Sequence, residues 1–206
     1  MVEVKSIIRS GYSSNVFLVK SEKNFIVDAG MNRPEELIDS IKEFIPDIDV
    51  VILTHRHIDH VGNAKRLSEE FDIPLYAEKK EAQAMENGDE STLARQFSKD
   101  IFPLEVNTID FDTYSGFEIL HTPGHTNGCI CLYHPEEKIL FSGDTIFSNG
   151  GIGRSDLPTG NINELKDSIK NLTKYDIEKI YPGHMTIVER NGNKHVKRSY
   201  NNISYL

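Results

Sequence analysis

Four residues with metal-binding side chains lie within six positions of the chain: His55, His57, Asp59 and His60. They follow the apolar run at residues 50–53, which predicts a buried β-strand. His55 and His57 are two residues apart, so their side chains point to the same side of an extended chain. Asp59 and His60 are adjacent and point in different directions once the chain turns. This short segment can therefore supply ligands to two neighbouring metal ions.

Three further candidate ligands each directly follow a glycine: His125, Asp144 and His184. Asp144 and His184 come at the ends of strand-like runs, and turns at strand ends are where α/β proteins gather functional residues. Glycine lets the backbone turn sharply and approach a ligand closely. Imidazole and carboxylate donors suit Zn²⁺, and also Fe²⁺ and Mn²⁺. The sequence therefore predicts a metal site assembled from distant segments.

The HxHxDH pattern at residues 55–60, followed at long spacing by His, Asp and His, resembles the metallo-β-lactamase superfamily of metallohydrolases. The resemblance extends from the Asp-Ala-Gly at residues 28–30 to the Tyr-Pro-Gly-His at residues 181–184. The Gly-Arg-Ser-Asp-Leu-Pro segment at residues 153–158 resembles the glyoxalase II-like branch, which also includes persulfide dioxygenases. The implied fold is α/β, a four-layer αβ/βα sandwich, in a single domain over residues 1–206.

The resemblance also implies how the ligands divide between two ions. His55, His57 and His125 would hold the first ion, and Asp59, His60 and His184 the second. Asp144 would bridge the two. Two Zn²⁺ ions are expected, with Fe²⁺ or Mn²⁺ as alternatives. A metal-bound hydroxide would be the nucleophile at neutral pH, and Asp59 is both an expected ligand and a candidate proton acceptor.

The expected activity is hydrolysis of a thioester such as an S-acyl thiol conjugate, as in glyoxalase II. Typical glyoxalase II enzymes carry an additional C-terminal helical domain, whereas 22 residues follow His184 here, so a compact subgroup is the better match. One alternative is a persulfide dioxygenase with a single iron held by His55, His125 and Asp144. Lactonase or β-lactamase activity is a weaker alternative, and a non-catalytic metal-binding module is another.

Three residues near the predicted ligands have other expected roles. By resemblance, Arg154 borders the mouth of the site, where it would bind a substrate carboxylate or pair with Asp156. Asp28, which ends an early strand, is expected to hydrogen-bond a ligand rather than bind metal itself. Arg56 stands between two ligands and should point away from them, as a surface or structural residue.

Composition narrows the choice of partners. The formal net charge of −9 argues against a nucleic-acid-binding surface and favours a small-molecule substrate. No apolar window is long enough to span a bilayer, and the N-terminus lacks the pattern of a signal peptide, so a cytoplasmic protein is expected. The two cysteines, Cys129 and Cys131, are expected to be small buried strand residues, since a disulfide between positions two apart would be strained.

The elements that must position these residues follow from hydrophobic periodicity. Pro34 is expected to open a helix and Asn161 to cap another that ends near Leu172. Residues 87–102 read as an irregular surface segment or a cover for the site, and His195 as part of a solvated helix face. Strands are expected near residues 4–8, 16–19, 25–28, 50–54, 74–77, 117–121, 129–134, 138–141 and 177–181, and further helices near residues 60–71 and 78–86.

Overall fold

A computed structural model describes residues 1–7, 11–45, 47–99 and 102–205. The chain divides into two compact units, Met1–Asp110 and Phe111–Leu206. Each has its own sheet, and the single domain expected over residues 1–206 stays a prediction. Two expectations fall partly outside the described residues: the end of the first strand at Ile8, and residues 100 and 101 of the irregular segment. No helix within the described ranges is long and apolar enough to cross a membrane.

The described part of the N-terminal unit contains a mixed sheet in which the strands follow one another in sequence order. The first three strands pair antiparallel, and the third to sixth pair parallel. The third and fourth strands are wholly buried apolar runs, as expected for parallel strands covered on both faces. Their carboxyl ends therefore meet at one edge of the sheet. The strands are β1 (Glu3–Ile7), β2 (Val16–Lys20), β3 (Phe25–Val27), β4 (Val50–Ile52), β5 (Leu75–Ala77) and β6 (Asn107–Thr108).

Helices cover this sheet and contribute to its core. The expected helix at Pro34 is confirmed as α1 (Pro34–Phe44), whose Leu37, Ile38 and Ile41 are buried. The expected helix over residues 60–71 is wrong in extent, because it is two helices, α2 (Ile58–Val61) and α3 (Ala64–Phe71). The break comes where the chain packs closely, since a Cβ on Gly62 would lie 2.8 Å from the Cα of Met31. Helix α4 (Lys79–Asn87) follows β5, and the predicted irregular segment contains 3₁₀ turns at Glu90–Thr92 and Ala94–Phe97.

The described part of the C-terminal unit contains a sheet in the order β11-β10-β9-β8-β7. Strands β10 and β11 are parallel and the other neighbours are antiparallel. Asn161 caps α5 as predicted, because its Oδ1 accepts from the backbone N–H groups of Asn163 and Glu164. The elements are β7 (Thr113–Tyr114), β8 (Phe117–His121), β9 (Ile130–His134), β10 (Ile139–Gly143), a 3₁₀ turn (Ser148–Gly150), α5 (Ile162–Leu172), β11 (Lys179–Pro182) and α6 (Gly192–Ser204).

Candidate functional site

The segment that carries the first four candidate ligands leaves the carboxyl end of β4. It passes through a bend at Thr54 to His57, which is the N-cap residue of α2, and then turns into that helix. His55 and His57 face the same side, because His55 Nε2 lies 3.1 Å from His57 Nδ1. Asp59 and His60 lie in the first turn of α2, with Asp59 Oδ2 3.9 Å from His60 Nε2. The three histidines are buried, and the Asp59 side chain is 18% exposed.

Asp28 contacts His60 directly and His55 through the hydroxyl of Thr54. It follows β3, is buried, and has a left-handed backbone conformation with φ of 59°, which Asp and Asn tolerate better than most residues. Its Oδ2 lies 2.8 Å from His60 Nδ1, and its carboxylate accepts from the Thr54 hydroxyl at 2.9 and 3.0 Å. Thr54 Oγ1 in turn lies 3.1 Å from His55 Nδ1. The predicted hydrogen bond between Asp28 and a candidate ligand is therefore present, and the metal-binding role of that ligand stays a prediction.

These contacts assign the tautomers of both rings. The Asp28 carboxylate accepts, so the Nδ1 of His60 donates and its Nε2 presents a lone pair. The single hydroxyl proton of Thr54 goes to Asp28, so the Thr54 oxygen accepts from Nδ1 of His55, whose Nε2 is likewise an acceptor. Neutral imidazoles with one nitrogen hydrogen-bonded and the other presenting a lone pair are the usual state of metal-binding histidines. The donor set thus has the chemistry that a divalent cation requires.

Topology explains how two distant ligands meet in the C-terminal unit. Asp144 follows β10 and His184 follows β11. These parallel strands end side by side after a register shift between Phe141 and Gly143, and Gly183 N donates to Gly143 O at 2.8 Å. The carboxyl ends of parallel strands lie at the same edge of a sheet, where α/β proteins commonly place ligand sites. His184 Nε2 is 3.6 Å from Asp144 Oδ2. His184 is partly exposed, whereas Asp144 is buried.

His125 reaches the same carboxylate from the connection between β8 and β9. Its Nε2 is 3.6 Å from Asp144 Oδ2. Its Nδ1 donates to the backbone carbonyl of Arg154 at 2.7 Å, which leaves Nε2 as the lone-pair nitrogen. Gly153 permits this approach, because a Cβ there would lie 1.9 Å from the carbonyl oxygen of Asp144 and 3.1 Å from His125 Nδ1. One carboxylate oxygen is therefore shared between two imidazole nitrogens.

The guanidinium of Arg154 pairs with Asp156. Its Nε and Nη2 donate to the two carboxylate oxygens at 2.9 and 2.8 Å, and both side chains are about two-thirds exposed. The pairing lowers the pKa of Asp156 and raises that of Arg154, chiefly through the side-chain hydrogen bond. Of the two roles expected for Arg154, the structure displays the pairing. Substrate binding by this residue stays a prediction.

The environments of Arg56, His195 and the two cysteines can be compared with the predictions. Of the two roles expected for Arg56, surface or structural, the structure shows the structural one, because Arg56 is buried against Glu81. His195 is not simply solvated, because its Nδ1 accepts from the backbone N–H of Asn149 at 2.8 Å. Cys129 and Cys131 are free and buried, as predicted, and burial raises the pKa of Cys131 to about 11. The buried Cys131 thiol is therefore a poor source of thiolate for metal binding.

Comparison with known proteins shows the family of the chain. The family model described as the metallo-beta-lactamase superfamily matches residues 9–184. The probable metallo-hydrolase MJ0888 of Methanocaldococcus jannaschii is 38% identical over 192 residues, covering 87% of this chain and 91% of that protein. Hydroxyacylglutathione hydrolase GloC of Haemophilus influenzae is 34% identical over 176 residues, covering 78% of this chain and 79% of that protein.

A solved structure agrees with these relatives. The crystal structure of TTHA1623 in a di-iron-bound form aligns with a TM-score of 0.80 and 30% identity, covering 93% of this chain and 96% of that one. The α/β fold expected from the HxHxDH pattern is thereby confirmed. A match along most of the chain, together with histidine and aspartate side chains grouped at the predicted positions, leads to one conclusion. The chain belongs to the metallo-beta-lactamase superfamily, as a hydrolase of that fold that binds divalent metal.

Proposed function

We propose that the chain hydrolyses a thioester of a small thiol conjugate, in the manner of a glyoxalase II enzyme, at a dinuclear metal centre. The observation that carries this proposal is the similarity to hydroxyacylglutathione hydrolase GloC, most of whose length this chain covers. The Gly-Arg-Ser-Asp-Leu-Pro segment at residues 153–158, which resembles the glyoxalase II-like branch, supports the same choice. The reaction adds water across the C–S bond, giving a carboxylic acid and a thiol.

The proposed centre divides its ligands as the family resemblance implies. His55, His57 and His125 would hold one ion, Asp59, His60 and His184 the other, and Asp144 would bridge them. Zn–N bonds of about 2.0–2.1 Å in tetrahedral geometry place two ligand nitrogens about 3.3 Å apart, close to the 3.1 Å between His55 Nε2 and His57 Nδ1. Asp144 Oδ2 lies 3.6 Å from both His125 and His184. The di-iron form of TTHA1623 supports a two-metal assignment in a related structure.

The residues around the proposed centre have separate roles: accepting a proton, holding α2 and fixing the imidazole tautomers. Divalent ions bound there would supply hydroxide at neutral pH and polarise the thioester carbonyl. Asp59 is the least buried of the four ligands at residues 55–60, so its carboxylate is suited to accept a proton from incoming water. Its backbone carbonyl accepts from Ser14 N at 3.0 Å, which holds the start of α2 in place. Asp28 and the Arg154 carbonyl fix the imidazole tautomers.

Zinc is the proposed metal, because imidazole and carboxylate donors suit it. Fe²⁺ and Mn²⁺ suit the same donors. Metal analysis of protein purified without oxygen therefore comes first, and about two ions per chain are expected. A ceiling of one ion under excess zinc, iron or manganese would contradict the dinuclear assignment and favour the mononuclear iron dioxygenase.

Activity is then tested with S-lactoylglutathione, following the release of free thiol by the metal-loaded protein. Matched reactions contain a β-lactam, a lactone, or a persulfide with oxygen uptake recorded. We expect thiol release that stops when the metal is removed and returns when it is restored. Failure to cleave any thioester, with metal-dependent turnover of one of the other substrates, would replace the proposal with that activity.

The proposed role of Arg154 needs a paired design, because Asp156 already occupies its guanidinium. If Arg154 binds a substrate carboxylate, Arg154→Ala should raise KM for an acidic thioester roughly tenfold or more, the cost of a lost charge-assisted hydrogen bond. A neutral thioester should be unaffected, and Asp156→Asn should lower KM for the acidic substrate by releasing the guanidinium. Equal losses with both substrates in both variants would instead assign the pair to holding the loop.

A further inference from the structure

We propose that Glu81 is a positioning residue for the metal ligands His55 and His57, and that it acts through the backbone of Arg56. The inference rests on the metal assignment of the proposed function, and adds to it a residue that lies outside the HxHxDH pattern. Glu81 lies on α4, which follows β5, and is fully buried. The chain separates it from Arg56 by 25 residues.

The contact joins Glu81 to both the main chain and the side chain of Arg56. Glu81 Oε2 accepts from the Arg56 backbone N–H at 2.8 Å and from its Nε at 2.7 Å. Glu81 Oε1 accepts from Arg56 Nη2 at 2.8 Å. Arg56 Nη1 donates to the Ser91 hydroxyl at 3.0 Å, so the 3₁₀ turn at Glu90–Thr92 completes the arrangement. Arg56 is 3% exposed.

The main-chain hydrogen bond gives this contact a positional consequence. Strand β4 ends at Ile52 and α2 begins at Ile58, so residues 53–57 bridge two regular elements. The Arg56 side chain reaches Glu81 and Ser91, whereas the two flanking imidazoles contact each other. A carboxylate that holds the amide of Arg56 fixes the peptide plane between His55 and Arg56. The direction of the Cα–Cβ bond of His55 depends on that plane. His57 follows Arg56 directly, so the same carboxylate restrains it through the held main chain and side chain of Arg56.

The ion pair between Arg56 and Glu81 does not by itself indicate a gain in folding stability. A buried ion pair is weak evidence for stability, because removing two charges from water offsets much of their attraction. An apolar pair of similar volume would fill the same space. What such a pair would lack is an acceptor for the Arg56 amide, and a buried amide without an acceptor is unfavourable. The structure thus separates two functions of Glu81: neutralising the guanidinium and holding the backbone.

Two double variants test this separation without leaving an unbalanced buried charge. Arg56→Met with Glu81→Gln retains an amide oxygen that can accept from the backbone N–H of residue 56. Arg56→Met with Glu81→Met removes that acceptor. Zinc affinity of the metal-free full chain is measured by competition with a chromophoric chelator, and the Tm of each metal-free protein is recorded. A control, Glu78→Ala, removes the N-cap of α4, where Glu78 accepts from Lys80 N, without touching Arg56.

We expect the variant containing Glu81→Met to bind zinc about 10–100-fold more weakly, as for other groups that orient metal ligands. The variant containing Glu81→Gln should stay within about threefold of the parent, and so should Arg56→Lys, which keeps Glu81 intact. Glu78→Ala should lower Tm and leave affinity unchanged. Loss of stability alone would not lower zinc affinity in the Glu81→Met variant while leaving it unchanged in Glu78→Ala.

Other outcomes would overturn the inference. If affinity falls in proportion to Tm across all variants, Glu81 has a structural role only. If Arg56→Lys or the Glu81→Gln variant loses tenfold in affinity with Tm preserved, the guanidinium and not the backbone contact is responsible. These results hold even if no thioester is cleaved, because the assay contains no substrate. A parent protein that binds no zinc would overturn this inference, whereas the proposed function ends only if iron and manganese also fail to bind.

Discussion

The candidate ligands of the N-terminal unit lie within six residues and are oriented by side chains, whereas those of the C-terminal unit are distributed from residue 125 to residue 184 and are oriented largely by backbone. In the first group, Asp28 and Thr54 hold the imidazoles of His60 and His55. In the second, the main-chain carbonyl of Arg154 orients His125, and the pairing of β10 with β11 places Asp144 near His184. A polar substitution should therefore damage the first group selectively, and a change in backbone packing the second.

The largest effect should come from Asp144→Ala, because a carboxylate oxygen of this residue lies between His125 and His184. We expect metal content to fall from about two to below one per chain, and thioester hydrolysis to fall at least about 100-fold, beyond the range for groups that only orient ligands. Elemental analysis and thiol release check this. Asp156→Ala serves as a control for metal content, because that carboxylate is exposed and paired with Arg154. Unchanged metal content in Asp144→Ala would refute bridging.

Asp28→Asn tests whether one carboxylate orients two histidines. Asparagine tolerates the left-handed backbone at this position, so the change alters hydrogen bonding with little added strain. Metal affinity should fall about 10–100-fold, with both ions affected.

Thr54→Val is the matched control for Asp28, because it removes the link to His55 and leaves the contact between Asp28 and His60. It should weaken binding of the ion held by His55 more than binding of the other ion. Equal loss of both ions in Thr54→Val would mean that the two imidazoles are not oriented separately.

Gly153→Ala tests the steric basis of the C-terminal group. The added Cβ would lie 1.9 Å from the Asp144 carbonyl oxygen, so Asp144 and His125 must both move. Overpacking typically costs about 1–3 kcal/mol, and a chain of this size loses about 2–4 °C in Tm per kcal/mol.

Gly151→Ala in the same loop is the comparison for Gly153. Its nearest contact would be the Cβ of Phe147 at 3.0 Å, so we expect a smaller loss of Tm and no loss of metal affinity. If the two alanine variants behave alike in thermal unfolding and in metal titration, the close approach at Gly153 does not set the ligand geometry.

The smallest effect should come from a change at His195. This residue lies on α6, and its Nδ1 accepts a hydrogen bond from Asn149 N in the loop after β10. Its pKa is lowered chiefly by burial, and further by the positive charges of Arg198 and Lys194. Because the folded-state pKa lies below the unfolded value of about 6.5, the contribution of neutral His195 is complete above that pH and is lost as pH falls below it. His195→Gln should flatten the dependence of Tm on pH between 7 and 5, whereas His121→Gln, at an exposed position, should not.

Local spacing predicted the N-terminal ligands, because HxHxDH brings four donors together without any knowledge of topology. His125, Asp144 and His184 could be selected from glycine neighbours and the family resemblance, and their convergence depends on parallel pairing of β10 with β11, which the sequence does not state. Most strand and helix positions followed from periodicity, whereas the short strands β6 and β7 and the break between α2 and α3 did not. The break lies at Gly62, where a Cβ would be 2.8 Å from the Cα of Met31, a close approach between residues distant in sequence.

Glu81 and the carbonyl of Arg154 could not have been found from the sequence. The pairing of Glu81 with Arg56 spans 25 residues and depends on where α4 packs after β5. The contact between His125 and the Arg154 carbonyl involves a backbone atom that every residue carries. Side-chain identity therefore indicates the candidate metal ligands themselves. It does not indicate the groups that orient those ligands when these groups are main-chain atoms or lie on another helix or strand.

The position of Asp28 between two histidines has a consequence for metal loading. The rotamers of His60 and of the Thr54–His55 pair depend on the same carboxylate, so an ion that binds either ring also restrains Asp28. We expect the second ion to restrict less conformational entropy at the other ring, which would give positive cooperativity without a change of shape. Zinc titration of the metal-free chain should accordingly be sigmoidal, and Asp28→Asn should make the two binding steps independent.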